Sequence, residues 1–486
     1  MKKLAISIVV FFTILFPLAF IACDNLDENF STNPNHRLAF SVDTLSFDTV
    51  FTSIGSATRH FMVYNRNSKP LLIQDITLAG AGKTGFRINV DGRKGEHFTD
   101  IQIQEKDSLY IFVEVTVNPN DKDQPILIGD SVLFTTNGNR QSVRLEAYGQ
   151  DVNLYKGGTT INENTQLTAA RPYLVYDSLV INPGITVEIE KGAIFYMHDT
   201  TAKIINYGTL IARGTLEEPI LFRGDRLDDI IPGVLPYDCA PAQWGGILFQ
   251  PESYDNILDH VILRNGKTGL TFRESSPERS KLKMNNSQIT NMSENLFKAT
   301  NCHIEVANSE LSNAGGNLAM LTGGRYSFIH CTLANYITLV KRNDVCLTLS
   351  NTLDNQTFPL DASFDNCIID GSFSPKQGEI HILTDNETGM NYRFNHCVIK
   401  SNGENDEQFT NVLFGSSPSY RRKGTNENEY RFDFHPDSLT TLGVGKADLS
   451  VSRQYPVDRC GNSRLTENGP AIGAYEFIPK ENEEEK

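Results

Sequence analysis

A short pattern that recurs six times between Leu258 and Ser401 limits what this chain can fold into more than any other feature. Its clearest copies read FIHCTLAN (328–335), FDNCIIDG (364–371) and FNHCVIKS (394–401). If the Cys slot is position zero, the series is Val261, Ser287, Ser309, Cys331, Cys367 and Cys397. Two residues on, every copy is apolar: Leu263, Ile289, Leu311, Leu333, Ile369 and Ile399. A period of two places both slots on one buried face of a strand. The apolar slot at minus three (Leu258, Met284, Val306, Phe328, Phe364, Phe394) is out of phase with that strand, so the chain must bend at the intervening His or Asn.

That bend slot is His260, Asn286, Asn308, His330, Asn366 and His396, and plus four is Asn265, Asn291, Asn313, Asn335, Gly371 and Ser401. Asn and Gly tolerate the left-handed backbone of a sharp corner. Plus nine is apolar again in Leu270, Leu296, Leu318 and Val340, which predicts a third strand. The copies lie 26, 22, 22, 36 and 30 residues apart. A repeat of that size, made of three short strands, predicts a β-solenoid whose coils pair as parallel strands about 4.8 Å apart. The fold class is therefore all-β. On these residues the chain resembles the right-handed parallel β-helix superfamily, the pectin-lyase-like fold, and the right hand is what that resemblance implies.

The first 22 residues read as a secretory signal. Lys2 and Lys3 precede an apolar run that ends at Ile21-Ala22-Cys23. A small residue before Cys, directly after the run, resembles a bacterial lipobox, although Phe20 stands where Leu is usual. The resemblance implies that Cys23 becomes the lipidated first residue and ties the protein to the outer membrane. The competing reading is an uncleaved membrane anchor. Asp24, Asp27 and Glu28 follow, in an acidic tether over 23–36 that resembles the surface-export signal of Bacteroidota-type lipoproteins.

Residues 37–152 change character. Alternating runs such as Thr58 to Tyr64, Ser108 to Val117 and Ser131 to Phe134 read as strands of a half-buried sheet. Asn137-Gly138 between two such runs predicts a hairpin. About seven strands over this length fit an immunoglobulin-like sandwich. Through Asp130 to Phe134 and Val143 to Gly149 the stretch resembles domains of the abnormal-spindle/hydin type, which implies a spacer or contact surface. Tyr155 to Thr168, a mostly polar stretch, reads as a link to the solenoid, which is assigned 153–477. Excursions from the coil are expected at 223–241, 274–283, 384–393 and 404–431, with a disordered charged tail over 478–486.

Composition narrows the partners. Net charge of −15 argues against nucleic acid. Cysteines in the inward slot act as small apolar residues, and in-register neighbours suit disulfide torsions poorly. Enzymes of the resembled family stack carboxylates, Ca²⁺-binding acids and a basic residue on one outward column. Here the outward slots at plus one (Ile262, Gln288, Glu310, Thr332, Ile368, Val398) and plus three (Arg264, Thr290, Ser312, Ala334, Asp370, Lys400) stack no carboxylate pair. Asp259-His260 fills the bend slot and is read as a corner. Candidate ligand contacts are Asp225, Asp228 and Asp229, which have the oxygen chemistry for Ca²⁺; Trp244, as a sugar platform; and Arg421, Arg422 and Lys423, as an anion grip. Solvated loops and, for Trp244, a core position are the plainer alternatives. No cofactor is otherwise implied.

These observations predict a lipid-anchored cell-surface protein that binds extracellular glycan or a partner protein without catalysis. A polysaccharide lyase or glycoside hydrolase with its site under the 223–241 or 404–431 excursion is the alternative. A structural or adhesion element is a third.

Overall fold

The computed structural model describes residues 30–231, 233–385, 388–424 and 430–479; Cys23 and most of the acidic and charged ends lie outside them. The chain forms two compact units, divided at Gln150 and Asp151 with Asp121–Gln124 grouped with the second. Strands dominate. The described helices are one 3₁₀ turn, Tyr237–Cys239, and one α turn, Leu449–Ser452.

The first unit is a β-sandwich. One sheet runs in the order Ala39–Phe40, Arg59–Tyr64, Ser108–Val115, Phe86–Val90, Arg93–Gly95, and the other Thr44–Phe51, Asn139–Gln150, Ile126–Thr136, Leu71–Leu78, His97–Ile103. The predicted hairpin is present: Thr136 pairs with Asn139, and Asn137 and Gly138 hold φ of 50° and 74°. Both residues at positive φ make the turn that matches strand twist. Ten strands among the described residues replace the expected seven or so, because Phe86–Val90, Arg93–Gly95 and His97–Ile103 carry polar residues that break up the apolar pattern. The described end of the expected tether is bound down: Ser31 N–H donates to Pro70 O at 2.9 Å, and Asn139 Nδ2 donates to Pro34 O at 2.7 Å.

The second unit is a solenoid built on one 26-stranded sheet with parallel pairing from coil to coil. The minus-three column is in register from Leu258 through Met284, Val306, Phe328 and Phe364 to Phe394. Its aromatic members stack, with ring centroids 5.1 Å apart for Phe328 and Phe364, 4.7 Å for Phe364 and Phe394, and 5.0 Å for Phe394 and Phe409. All six bend-slot residues are left-handed, at φ of 47–55°. At plus four only Asn265, Asn291 and Asn313 are. The zero slot does more than fill space. Ser287 and Ser309 donate their hydroxyls to the carbonyl two residues back at 2.7 Å, and Cys331, Cys367 and Cys397 repeat that contact through sulfur at 3.4–3.5 Å. The slot thus takes a small side chain that quiets a carbonyl turned inward by the bend.

The left-handed corner gives a direct test. Asn286→Ala should cost about 1–2 kcal/mol of unfolding free energy through backbone strain, while Asn286→Gly should cost clearly less. Urea unfolding of the two variants side by side reads the difference.

Three expectations need correction. The polar stretch over 155–168 is not a link but the first coil: Thr159–Ile161 and Thr165–Leu167 pair in parallel with the strands that follow, and bury Ile161 and Leu167. An end coil has little to cover, so its sequence is mostly polar. Val340 lies in no strand. An insertion displaces the third strand of that coil to Leu347–Ser350, which pairs with Ala319 to Thr322. The 404–431 segment is only partly an excursion, since Phe409–Thr410 and Leu413–Phe414 add a final coil.

The largest correction concerns the outer wall of the middle strand. The plus-one and plus-three columns are not open. Glu310, Thr332, Ala334, Ile368, Asp370 and Val398 are all buried, because the C-terminal segment runs across them. Ile472 packs on Ile368 and Val398, Ala474 N–H donates to Thr332 Oγ1 at 2.9 Å, and the Tyr475 hydroxyl donates to Glu310.

Candidate functional site

With much of that wall covered, one accessible set of outward slots lies on the strand before the bend. Inward residues there sit at minus three, so minus four and minus six face out. Minus four stacks Lys283, Glu305, Ser327, Ser363 and Arg393 in register, and minus six stacks His303, Arg325, Asp361 and Asn391. Of these, Lys283, His303, Glu305, Arg325, Ser327, Asp361 and Ser363 line an open groove of about 660 Å³, and Tyr455 of the C-terminal segment forms part of its lining.

The groove is polar and mixed in charge. Glu305 lies between the Lys283 ammonium and the His303 ring, with Nζ and Nε2 each 3.4 Å from its oxygens. Arg325 reaches Glu278 at 3.3 Å and stays half-exposed, and Asp361, its neighbour one coil on, is exposed. One coil beyond Ser363, Arg393 grips Asp365 with both terminal nitrogens at 2.9 Å. Burial, together with Glu305 nearby, holds the Tyr455 phenol above its ordinary range, so its hydroxyl is a donor at neutral pH. The set offers donors and acceptors at each coil, spaced by the strand separation of about 4.8 Å. A chain-like polar ligand laid along the axis meets the same kind of contact repeatedly.

The predicted site residues do not gather there. Asp225 is mostly buried and accepts from His198 Nδ1 at 2.6 Å; burial raises its carboxyl and the imidazole opposes the rise. Asp228 takes both arms of Arg226 at 2.6 and 2.7 Å. Asp229 is exposed and accepts from Gly233 N–H at 2.8 Å. The three acids therefore face different partners, and the described residues hold no group of three His, Cys, Asp or Glu side chains suited to a metal ion. Trp244 is no platform: it is fully buried and its Nε1 donates to Arg264 O at 2.8 Å. Arg421 donates to Ile478 O, and Lys423 lies 5.2 and 5.3 Å from the ring centroids of Tyr336 and Tyr420. These residues belong to the hairpin Tyr420–Lys423 with Phe432–Pro436 rather than to a loop tip.

The two excursions suspected of hiding an active site do meet. Asp229 and Cys239 from the first share a cavity of about 290 Å³ with Arg422 and Arg431 from the second. Asp229 is the one carboxylate among its described lining residues.

The minus-four and minus-six columns lie before the bend, outside the slots where the repeat is most regular. Their signal was present in the alternation: Lys283, Glu305, Ser327 and Ser363 hold one register position and are all polar.

No protein-family model matches the chain, and no curated protein does. Among solved structures, a PapD-like domain of human CEP192 aligns at 9% identity and a TM-score of 0.17, over 26% of this chain and 94% of that one. A family 123 glycoside hydrolase from Clostridium perfringens aligns at 9% identity and 0.17, and the match takes in 24% of this chain and only 26% of the hydrolase. A protein of unknown function from Porphyromonas gingivalis W83 aligns at 16% identity and 0.18, over 27% and 57%. Likeness this slight carries no information about activity.

Proposed function

We propose that this protein is a lipid-anchored cell-surface module whose solenoid binds an extracellular glycan along the polar groove, without catalysis. The observation that carries this reading is the groove itself: charged and hydroxyl side chains stacked coil by coil on an open wall. Protein-binding hot spots are rich in buried aromatic anchors, and the groove offers Tyr455 and the mostly buried Tyr326. An acidic polysaccharide suits Lys283, His303 and Arg325 best. The anchor and surface location rest on the lipobox-like segment and Cys23; Cys23→Ala should abolish incorporation of labelled fatty acid.

One observation favours a second reading, a polysaccharide lyase. Glu305 and Asp361 share the groove with Lys283, His303 and Arg325, so acids and bases face one cleft. A glycan array run beside a product assay on the acidic polysaccharides it selects separates the two. Binding with no new reducing ends supports the binding module. New ends or unsaturated products establish the lyase. In the binding case, Arg325→Ala should weaken affinity about tenfold or more, the value of one charge-assisted hydrogen bond.

A further inference from the structure

Away from the groove, three side chains form a relay that the binding function does not use. The strand Phe432–Pro436 places Asp433 and His435 two residues apart, on one side. His435 Nδ1 lies 2.6 Å from Asp433 Oδ1, and its Nε2 lies 3.5 Å from Cys460 Sγ. Cys460 sits in a tight turn held by Asp458, whose Oδ1 accepts from the Cys460 and Asn462 amides at 2.8 Å each. The imidazole is fixed from the other side by the Tyr475 ring, 4.0 Å centroid to centroid.

We propose that Cys460 is a nucleophilic thiol, activated by His435 with Asp433 as the orienting carboxylate, and hence a site of covalent modification by soft carbon electrophiles. The chemistry balances with iodoacetamide as the probe. His435 carries a proton on each ring nitrogen, Nδ1–H donating to Asp433 and Nε2–H facing the sulfur, and the thiol proton leaves to water or buffer base. The sulfur electron pair then forms the S–C bond, the C–I bond breaks and iodide leaves. An adjacent imidazolium is the standard means of keeping a thiolate available near neutral pH.

Accessibility agrees. Cys460 is partly exposed, whereas Cys239, Cys302, Cys331, Cys346, Cys367 and Cys397 are buried free thiols. Burial draws the His435 imidazolium down, but Asp433 and Cys460 more than reverse this and lift it to about 9. The other charged or titratable groups around the relay are Tyr475, Arg459 near its ring, Glu310 under its hydroxyl, Asp458 behind the turn and Arg421 near Asp433. A folded value above the ordinary 6.5 means that His435 contributes stability fully below pH 6.5 and loses it as pH rises through about 9.

The test is the alkylation rate of Cys460 in the full chain, read by peptide mass mapping from pH 5.5 to 9. The native protein should keep a high rate down to about pH 6. His435→Gln should be at least tenfold slower at pH 6.5 and fall steeply with acidity, as an ordinary thiol does. Asp433→Asn should lie between, with its thermal midpoint recorded to show that the fold is kept. If native Cys460 follows an ordinary thiol profile, or both variants match it at pH 6.5 while folded, the proposal is overturned.

Discussion

Replacing Arg464 with methionine should lower the unfolding free energy of the solenoid by about 3–5 kcal/mol, the usual cost of stranding one member of a buried ion pair. Arg464 is fully buried. Its Nη1 meets Glu476 Oε1 at 2.8 Å, and its Nη2 donates to Asn308 Oδ1 at 2.9 Å and Gly473 O at 3.1 Å. Burial drives the guanidinium down and the Glu476 carboxyl up, and each is held charged by the other. Without Arg464, Glu476 must either stay charged without its partner or take up a proton, and Asn308 and Gly473 lose their donor. The same residues join the C-terminal segment to the bend column, so amides over 456–476 should also exchange faster. Arg464→Met combined with Glu476→Leu should recover part of the loss, because an apolar pair of similar volume often matches a buried ion pair. Denaturant midpoints of the single and double variants check this. Equal midpoints for native and Arg464→Met would mean that the terminal segment is not clamped here.

The second large effect is expected from Phe364→Ala, at about 3–5 kcal/mol. The Phe364 ring is buried between Phe328 and Phe394, at centroid distances of 5.1 and 4.7 Å. Truncation removes apolar area and leaves a void that parallel strands pinned by ladders on both sides are slow to close. Phe364→Leu should cost far less, because most of the volume remains. The same pair of substitutions at Phe432, partly buried at the edge of a smaller cluster, should show a smaller gap. Unfolding free energies of the four variants make the comparison.

The inward face was legible from the sequence because a solenoid repeats its chemistry. Period-two apolar slots, a bend residue drawn only from His and Asn, and Asn-Gly between two alternating runs each name a backbone geometry locally. What lay over the coil was not legible. Gln288, Glu310 and Asp370 read as solvent-facing, and only the folded chain shows residues 447–476 lying across that wall, more than 100 residues away in sequence from Thr332 or Glu310. The partners of the acids at 225–229 were hidden for a related reason: Arg226 and His198 pair with Asp228 and Asp225, and no spacing rule announces those contacts. Trp244 beside two glycines marked a strand start correctly as a place, while its burial depended on the coil stacked against it.

The most direct measurement of the binding account is hydroxyl-radical footprinting of the protein with and without the acidic glycan that the array selects. Binding along the groove predicts protection of Tyr455 and His303. Protection confined to 420–423, to 225–231 or to the sandwich, with Tyr455 and His303 unchanged, would contradict it.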